Sequence, residues 1–123
     1  MRPLSTLTVF ALALLGTVGL ARAHSIGAVT VQAKIIPGGI AEATGKITMT
    51  PNHVKARSIV TFVVANTDRN NPHAFEINGR LTQLIPPGAH RVLRNVRFIK
   101  PGAYVASSPG TGEGIGGVLR VTR

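Results

Sequence analysis

The sequence predicts an all-β domain, a sandwich or barrel of about eight short strands. Apolar and polar residues alternate in several short segments, as in Val29, Val31, Ala33 and Ile35. Gly, Pro and Asn separate these segments, as expected of tight turns. No stretch combines a helical period with strong caps, so strands are the favoured element throughout.

The individual strands follow from these patterns in chain order. The segments 29–35 and 46–50 alternate cleanly and predict strands with one face in the core and one in water. The segment 58–65 is apolar almost throughout, which predicts a central strand covered on both faces. Further strands are predicted at 74–77, 80–85, 91–98, 103–107 and 117–122, with turns at 78–79, 86–88, 100–102 and 108–110.

The first 23 residues predict a secretory signal peptide. Arg2 precedes an apolar run over residues 9–20, and Ala21-Arg22-Ala23 supplies small residues at a cleavage site. Twelve apolar residues are fewer than the roughly 20 that cross a bilayer, so no transmembrane segment is expected in the mature chain. We expect a periplasmic or secreted domain, residues 24–123, that begins at His24.

Composition excludes several kinds of chemistry. The chain has no Cys, and therefore no disulfide, no thiolate metal site and no thiol nucleophile. Its 4 Asp and Glu residues stand far apart in the sequence and suggest no carboxylate pair for glycosidase-like catalysis. We expect a protein that is not an enzyme.

The order of residues from Gly45 to Val121 resembles the cupredoxin family. The resemblance lies in an apolar strand ending at Asn66, followed by His73-Ala-Phe-Glu-Ile and Ile85-Pro-Pro-Gly. Lys100-Pro-Gly-Ala-Tyr, Ser-Pro-Gly and Gly114-Ile-Gly-Gly complete the pattern. The resemblance implies an eight-stranded Greek-key sandwich.

The resemblance also implies where a copper site would lie. The family binds copper with an early His, a Cys, a second His and a weak axial Met. His73 matches the early His, whereas Ala106, Thr111 and Ile115 stand at the other three positions. Without a thiolate the blue-copper electron-transfer function cannot be carried over, and the chain resembles family members that kept the sandwich and lost the metal.

The four histidines fall into two predicted pairs. If successive strands reverse direction, His24 and the 51–57 turn that contains His53 lie at one end of the sandwich. His73, His90 and the 109–116 loop lie at the other end. His24, as a new terminus, offers its α-amine and ring as a chelate, and His53 would complete a three-nitrogen copper site, a histidine brace. The alternative is a solvated terminus and an ordinary turn residue at His53.

His73 has the family position, but two imidazoles alone hold copper weakly. His73 and His90 would capture a metal only if water or Glu113 joined them. The alternative for His73, which we favour, is a packed ring that is covered by the Pro-Gly loop and hydrogen-bonded to a backbone carbonyl.

A strong positive charge is the other informative feature. The net charge is +10, and 12 of the 14 Lys and Arg residues remain once Arg2 and Arg22 are removed with the leader. A period of two predicts Arg91 and Arg97 on one face of their strand and Arg94 on the other. Such a surface suits an acidic periplasmic protein or an anionic membrane surface. Nucleic acid is not expected, because the single Tyr and 4 Phe offer no stacking platform.

Two hypotheses of function follow. The first is a periplasmic protein that holds or passes copper through histidine nitrogens, with His24 and His53 as the first choice of ligands and His73 as the family position. The alternative is a metal-free interaction module that docks an anionic partner through its basic surface.

Overall fold

The computed structural model describes residues 27–39, 45–110 and 114–123. These ranges contain nine strands and no helix, and therefore no helix that could cross a membrane. The predicted leader and the predicted mature terminus His24 lie outside the described residues. The strands are β1 (Ala28–Ile36), β2 (Lys46–Thr50), β3 (His53–Lys55), β4 (Ile59–Asn66), β5 (Glu76–Ile77), β6 (Arg80–Leu81), β7 (His90–Arg97), β8 (Gly102–Ser107) and β9 (Gly116–Thr122).

The strands follow the order β6-β5-β8-β9-β2-β1-β4-β7, and β3 pairs with β9 off this path. One layer contains β2, β1, β4 and β7, with β1 antiparallel to β2 and parallel to β4. The other contains β6, β5, β8, β9 and β3. A single pairing, Lys46 with Gly116, joins the layers through β2 and β9. The predicted all-β sandwich is confirmed.

The core lies between the layers and is built from one face of each strand. Three fully buried Phe rings occupy its centre, and the Phe62 ring centroid lies 5.4 Å from that of Phe75 and 6.3 Å from that of Phe98. Tilted and edge-on geometries of this kind are the favourable ones for aromatic pairs. Tyr104 packs on Phe98 at 4.8 Å and donates its hydroxyl to the Lys100 carbonyl at 2.6 Å.

The strand predicted to be central, now β4, has hydrogen-bonded neighbours on both sides, as expected. The prediction that both of its faces are covered is wrong. Its residues alternate between fully buried and half-buried. Only Val60, Phe62, Val64 and Asn66 face the second layer, whereas Ile59, Thr61, Val63 and Ala65 line the outer face of the sheet.

The segment around His53 was predicted as a turn, and that prediction is also wrong. Residues 53–55 form the short strand β3, parallel to β9, with His53 opposite Arg120. Val54 is buried and His53 is exposed, so only the middle residue of this strand packs in the core. The ninth strand of the fold is the one that the sequence did not predict.

The hairpin at Asn78-Gly79 forms where the sequence predicts it. Asn78 has φ 51° and Gly79 φ 76°, the left-handed values that a two-residue hairpin turn needs. Its strands β5 and β6 are only two residues long each. The remainder of the predicted 74–85 region is held by single contacts, such as the bridge between His73 and Ile85.

Side chains rather than a strand ladder close the seam between β6 and β7. Arg80 donates from Nη1 to the Asn95 carbonyl at 2.9 Å and from Nη2 to the Arg94 carbonyl at 3.0 Å. Asn78 Nδ2 donates to the Arg97 carbonyl at 2.9 Å. These bonds satisfy carbonyls on the edge of β7, which would otherwise attract a foreign strand.

The same part of β7 contains a bulge that changes which arginines share a face. The register with β4 shifts between Val60 and Phe62, and Asn95 has a positive φ of 59°. An extra residue inverts the alternation beyond it. Arg94 and Arg97 therefore share the outer face, and Arg91, opposite buried Val64, lies on the other side. The prediction that Arg91 and Arg97 share a face is wrong.

Candidate functional site

Asn66, the last residue of β4, organises the loop that leads to His73. Its side chain is buried, and its Nδ2 donates to the carbonyls of Asn71 at 2.9 Å and Ile85 at 3.0 Å. Its Oδ1 accepts the backbone N–H of Asp68 at 2.9 Å. One amide thus ties the 66–73 loop to the neighbouring 85–88 loop at the same end of the sandwich.

Asp68, His73 and Ser108 form a buried network at this end. His73 is 0% exposed, and its Nε2 lies 2.8 Å from Asp68 Oδ2. Its Nδ1 lies 3.3 Å from the Ser108 hydroxyl. Asp68 and Ser108 are 4% and 5% exposed. The ring therefore has a polar partner at each of its two nitrogens.

The carboxylate fixes which nitrogen carries the proton. The hydrogen bond from His73, together with the Asn70 and Asn71 N–H groups, lowers the pKa of Asp68 to about 2, although burial opposes the shift. An ionised carboxylate only accepts, so His73 Nε2 must donate to it. In the neutral ring, Nδ1 is then an acceptor, and the Ser108 hydroxyl donates to it. The lone pair that could bind a metal thus faces a hydroxyl.

The favoured interpretation of His73, a packed and hydrogen-bonded ring, agrees with this geometry, with one correction. The predicted partner was a backbone carbonyl, but the side-chain partners are a carboxylate and a hydroxyl. The backbone of His73 is engaged separately, in two hydrogen bonds with Ile85.

Two of the family's other ligand positions, Ala106 and Ile115, lie at the same end. Ala106 and Ile115 are buried in the core, and Ser108 N–H donates to the Ile115 carbonyl at 3.2 Å. The predicted placement of His73 beside the 109–116 loop is confirmed for the part of that loop that the structure describes. Thr111 and Glu113 lie outside it. Within the described ranges, no group of three or more His, Cys, Asp or Glu side chains is arranged to hold a metal ion.

His90 reaches the end of the sandwich that was predicted for it, but it does not meet His73. It is exposed and pairs with Ala65 of β4. Residues directly opposite on antiparallel strands share a face, and Ala65 lies on the outer one. His73 is buried between the layers, so the two rings lie on opposite sides of the sheet.

His53 lies on the outer face of the second layer. Its Nδ1 is 3.2 Å from Asn52 Oδ1, and a cleft of about 460 Å³ beside it is lined by Asn52, Val118, Arg120 and Thr122. The predicted partner His24 is outside the described residues, so the brace stays a prediction. Arg120, directly opposite His53 in the ladder, places a positive charge next to any cation there.

Sequence reasoning missed Asn66, Asp68 and Ser108 as a connected group. The sequence alone presents Asp68 as an isolated acid, although it stands five residues before His73 in a loop rich in Asn. Asp followed by backbone N–H groups two and three residues later is a common loop motif. That spacing is the local signal that was available. Ser108 carried no such signal, because its contact with His73 spans 35 residues.

Comparisons with known proteins point to one fold. No family model matches the sequence, and no curated protein matches it either. Among solved structures, rusticyanin from Thiobacillus ferrooxidans is similar with a TM-score of 0.59 and 16% identity, over 80% of this chain and 79% of that one.

Two further structures show the same likeness. Auracyanin from Roseiflexus castenholzii matches with a TM-score of 0.55 and 12% identity, over 78% of this chain and 97% of that one. A multicopper oxidase matches at 0.53 and 16% identity over 93% of this chain, which spans about half (49%) of the oxidase chain. These three structures share the β-sandwich architecture of this chain. The chain has a cupredoxin-like fold, as its sequence predicted.

The depressed pKa of Asp68 predicts a specific pH dependence of stability. Because Asp68 titrates near 2 in the folded protein and near 3.9 when unfolded, the unfolded state binds more protons in between. Its contribution is complete above about pH 4 and is lost as the pH falls toward 2. In urea titrations, the stability advantage of the wild type over Asp68→Asn should shrink across this window. A constant advantage from pH 6 to pH 2 would contradict the assignment.

Proposed function

We propose that this protein is an exported cupredoxin-like binding module that docks an anionic partner, and that it is neither an enzyme nor an electron-transfer protein. The observation that carries the proposal is the buried network around His73. With Asp68 at Nε2 and Ser108 at Nδ1, the family's first copper ligand is engaged in holding loops together. The chain has no Cys that would supply the thiolate of a blue-copper site.

The distribution of charge supports an anionic partner. In the ranges 27–39, 45–110 and 114–123, the only Asp and Glu side chains are Asp68 and Glu76. Asp68 is buried against His73, so among the described acids only Glu76 remains to offset the many exposed Lys and Arg side chains. A surface of this kind attracts polyanions and anionic surfaces, in a way that salt weakens.

An immobilised polyanion tests the docking function. We expect the mature protein to bind polyglutamate resin, anionic vesicles or both at about 0.15 M salt. It should be released as the salt concentration rises to about 1 M, because the Debye length is then near 3 Å. A neutral resin of the same matrix is the control. If the protein bound neither the polyglutamate resin nor the anionic vesicles at about 0.15 M salt, the proposal would be contradicted.

A copper-binding function through His24 and His53 is the second candidate. What favours it is that β1 starts close to the end of β3. Ile59 N–H donates to the Gly27 carbonyl, just before β1, and the neighbouring Ser58 N–H donates to the carbonyl of Lys55, the last residue of β3. Gly27 and the end of β3 thus lie at one end of the sandwich. Three residues can span at most about 10 Å, so the chain before Gly27 is long enough for a terminal amine to reach β3, the strand that begins at the exposed His53.

A further inference from the structure

We propose that the outer face of the layer β2-β1-β4-β7 is a docking surface for a bilayer rich in anionic headgroups. The inference rests on the proposed function and names both its surface and its partner. This surface, called here the basic face, has four cationic residues, Lys34, Lys46, Arg94 and Arg97.

The register places these four residues on one side of the sheet. Lys34 pairs with Thr48 of β2 and with Ala65 of β4, and Arg97 of β7 pairs with Ile59 of β4. All of these side chains alternate with core residues and therefore point outward. The two described acids are elsewhere, with Glu76 in the second layer and Asp68 inside the network. Among the residues that the structure describes, the basic face has no carboxylate to offset its charge.

The β7 bulge is what brings the two arginines together on this face. Without the extra residue, positions 94 and 97 would point to opposite sides. Arg80 fixes the bulge, since its guanidinium binds the carbonyls of both Arg94 and Asn95. The pair of outward charges is thus built on a braced backbone rather than on a loop.

The remaining side chains of the basic face favour a membrane over a protein partner. They include the polar Thr30, Gln32 and Thr61, the half-buried Ile59, Val63 and Ala65, and the exposed Val92. Protein interfaces depend on a few large anchors such as Trp and Tyr in central pockets, and the described residues of this face include neither. Four strands at 4.8 Å spacing spread the charges over about 15 Å, which fits a plane of headgroups, where each basic residue adds to attraction.

Vesicle binding by two charge-matched double variants tests the inference. Arg94→Gln/Arg97→Gln removes two charges from the basic face, and Lys55→Gln/Arg120→Gln removes two from the second layer. Sedimentation with phosphatidylglycerol-containing vesicles at low salt should show binding weakened about 10- to 30-fold for the first variant and little for the second. Pure phosphatidylcholine vesicles are the control for charge, and unchanged urea midpoints confirm that both variants fold.

Each other outcome separates the inference from the proposed function. Equal weakening in both variants would show that net charge alone drives binding and would overturn the assignment of the face. Retention on polyglutamate without binding to anionic vesicles would overturn the membrane partner and leave the docking function standing. Failure on both supports would overturn the inference and the proposed function together.

Discussion

Replacing His73 by Phe should destabilise the protein by about 3–5 kcal/mol, because it leaves an ionised, buried Asp68 without its partner. Phe keeps an aromatic ring at the 0% exposed position, so the loss reports mainly the hydrogen bonds to Asp68 and Ser108. For a domain of this size, the melting temperature should fall by more than about 10 °C. Urea and thermal unfolding of the purified variant measure both quantities.

His90→Phe is the matched control for this change. His90 is exposed on the outer face of the sheet, and substitutions at such positions usually change stability by less than about 0.5 kcal/mol. In the double variant Asp68→Ala/His73→Phe, the cost should be well below the sum of the single costs, since the buried charge is removed with its partner. Equal effects of His73→Phe and His90→Phe would show that the network does not hold this end together.

Any tight copper(II) site should depend on a free α-amine at His24. Three forms of the protein decide this: one that begins at His24, one that retains a single extra residue before it, and His53→Ala. The extra residue should weaken binding on the order of 100-fold, because the amine and ring of one residue gain from a high effective concentration. His53→Ala should weaken it as well, whereas His90→Ala should not.

The outcomes also separate the possible sites. Equal affinity of all three forms would exclude the brace, and a loss only in His73→Ala would place copper at the family position. In no form should copper(II) produce the intense absorption of a blue-copper protein, since the chain has no Cys to form the thiolate bond.

The sequence predicted the architecture because its signals are local. Alternation over 29–35 and 46–50 and the Asn78-Gly79 turn each specify a short-range geometry that the fold uses. The strand β3 could not be predicted, because three residues are too few to show an alternating pattern. Its position depends on pairing with β9, which is far along the chain. The partial exposure of one face of β4 could not be predicted, because Val and Ile occur on partly covered sheet surfaces as well as in cores.

The candidate site could be predicted only in part for the same reason. The family order placed His73 and the 109–116 loop at one end, but only the fold brings Ser108 to the ring. The bulge at Asn95 has no strong sequence signal, because Asn tolerates a positive φ without requiring it. Because of this one extra residue, Arg94 rather than Arg91 shares a face of β7 with Arg97.

The position of copper in a crystal of the mature protein grown with copper(II) tests the central claim most directly. An anomalous difference map at the copper edge locates any bound metal without reference to a spectrum. We predict no peak at His73, whose Nε2 remains bonded to Asp68 and whose Nδ1 faces the Ser108 hydroxyl. A full-occupancy copper peak within bonding distance of His73 Nδ1, with Ser108 displaced, would contradict the claim that this network has taken the place of the family's metal site.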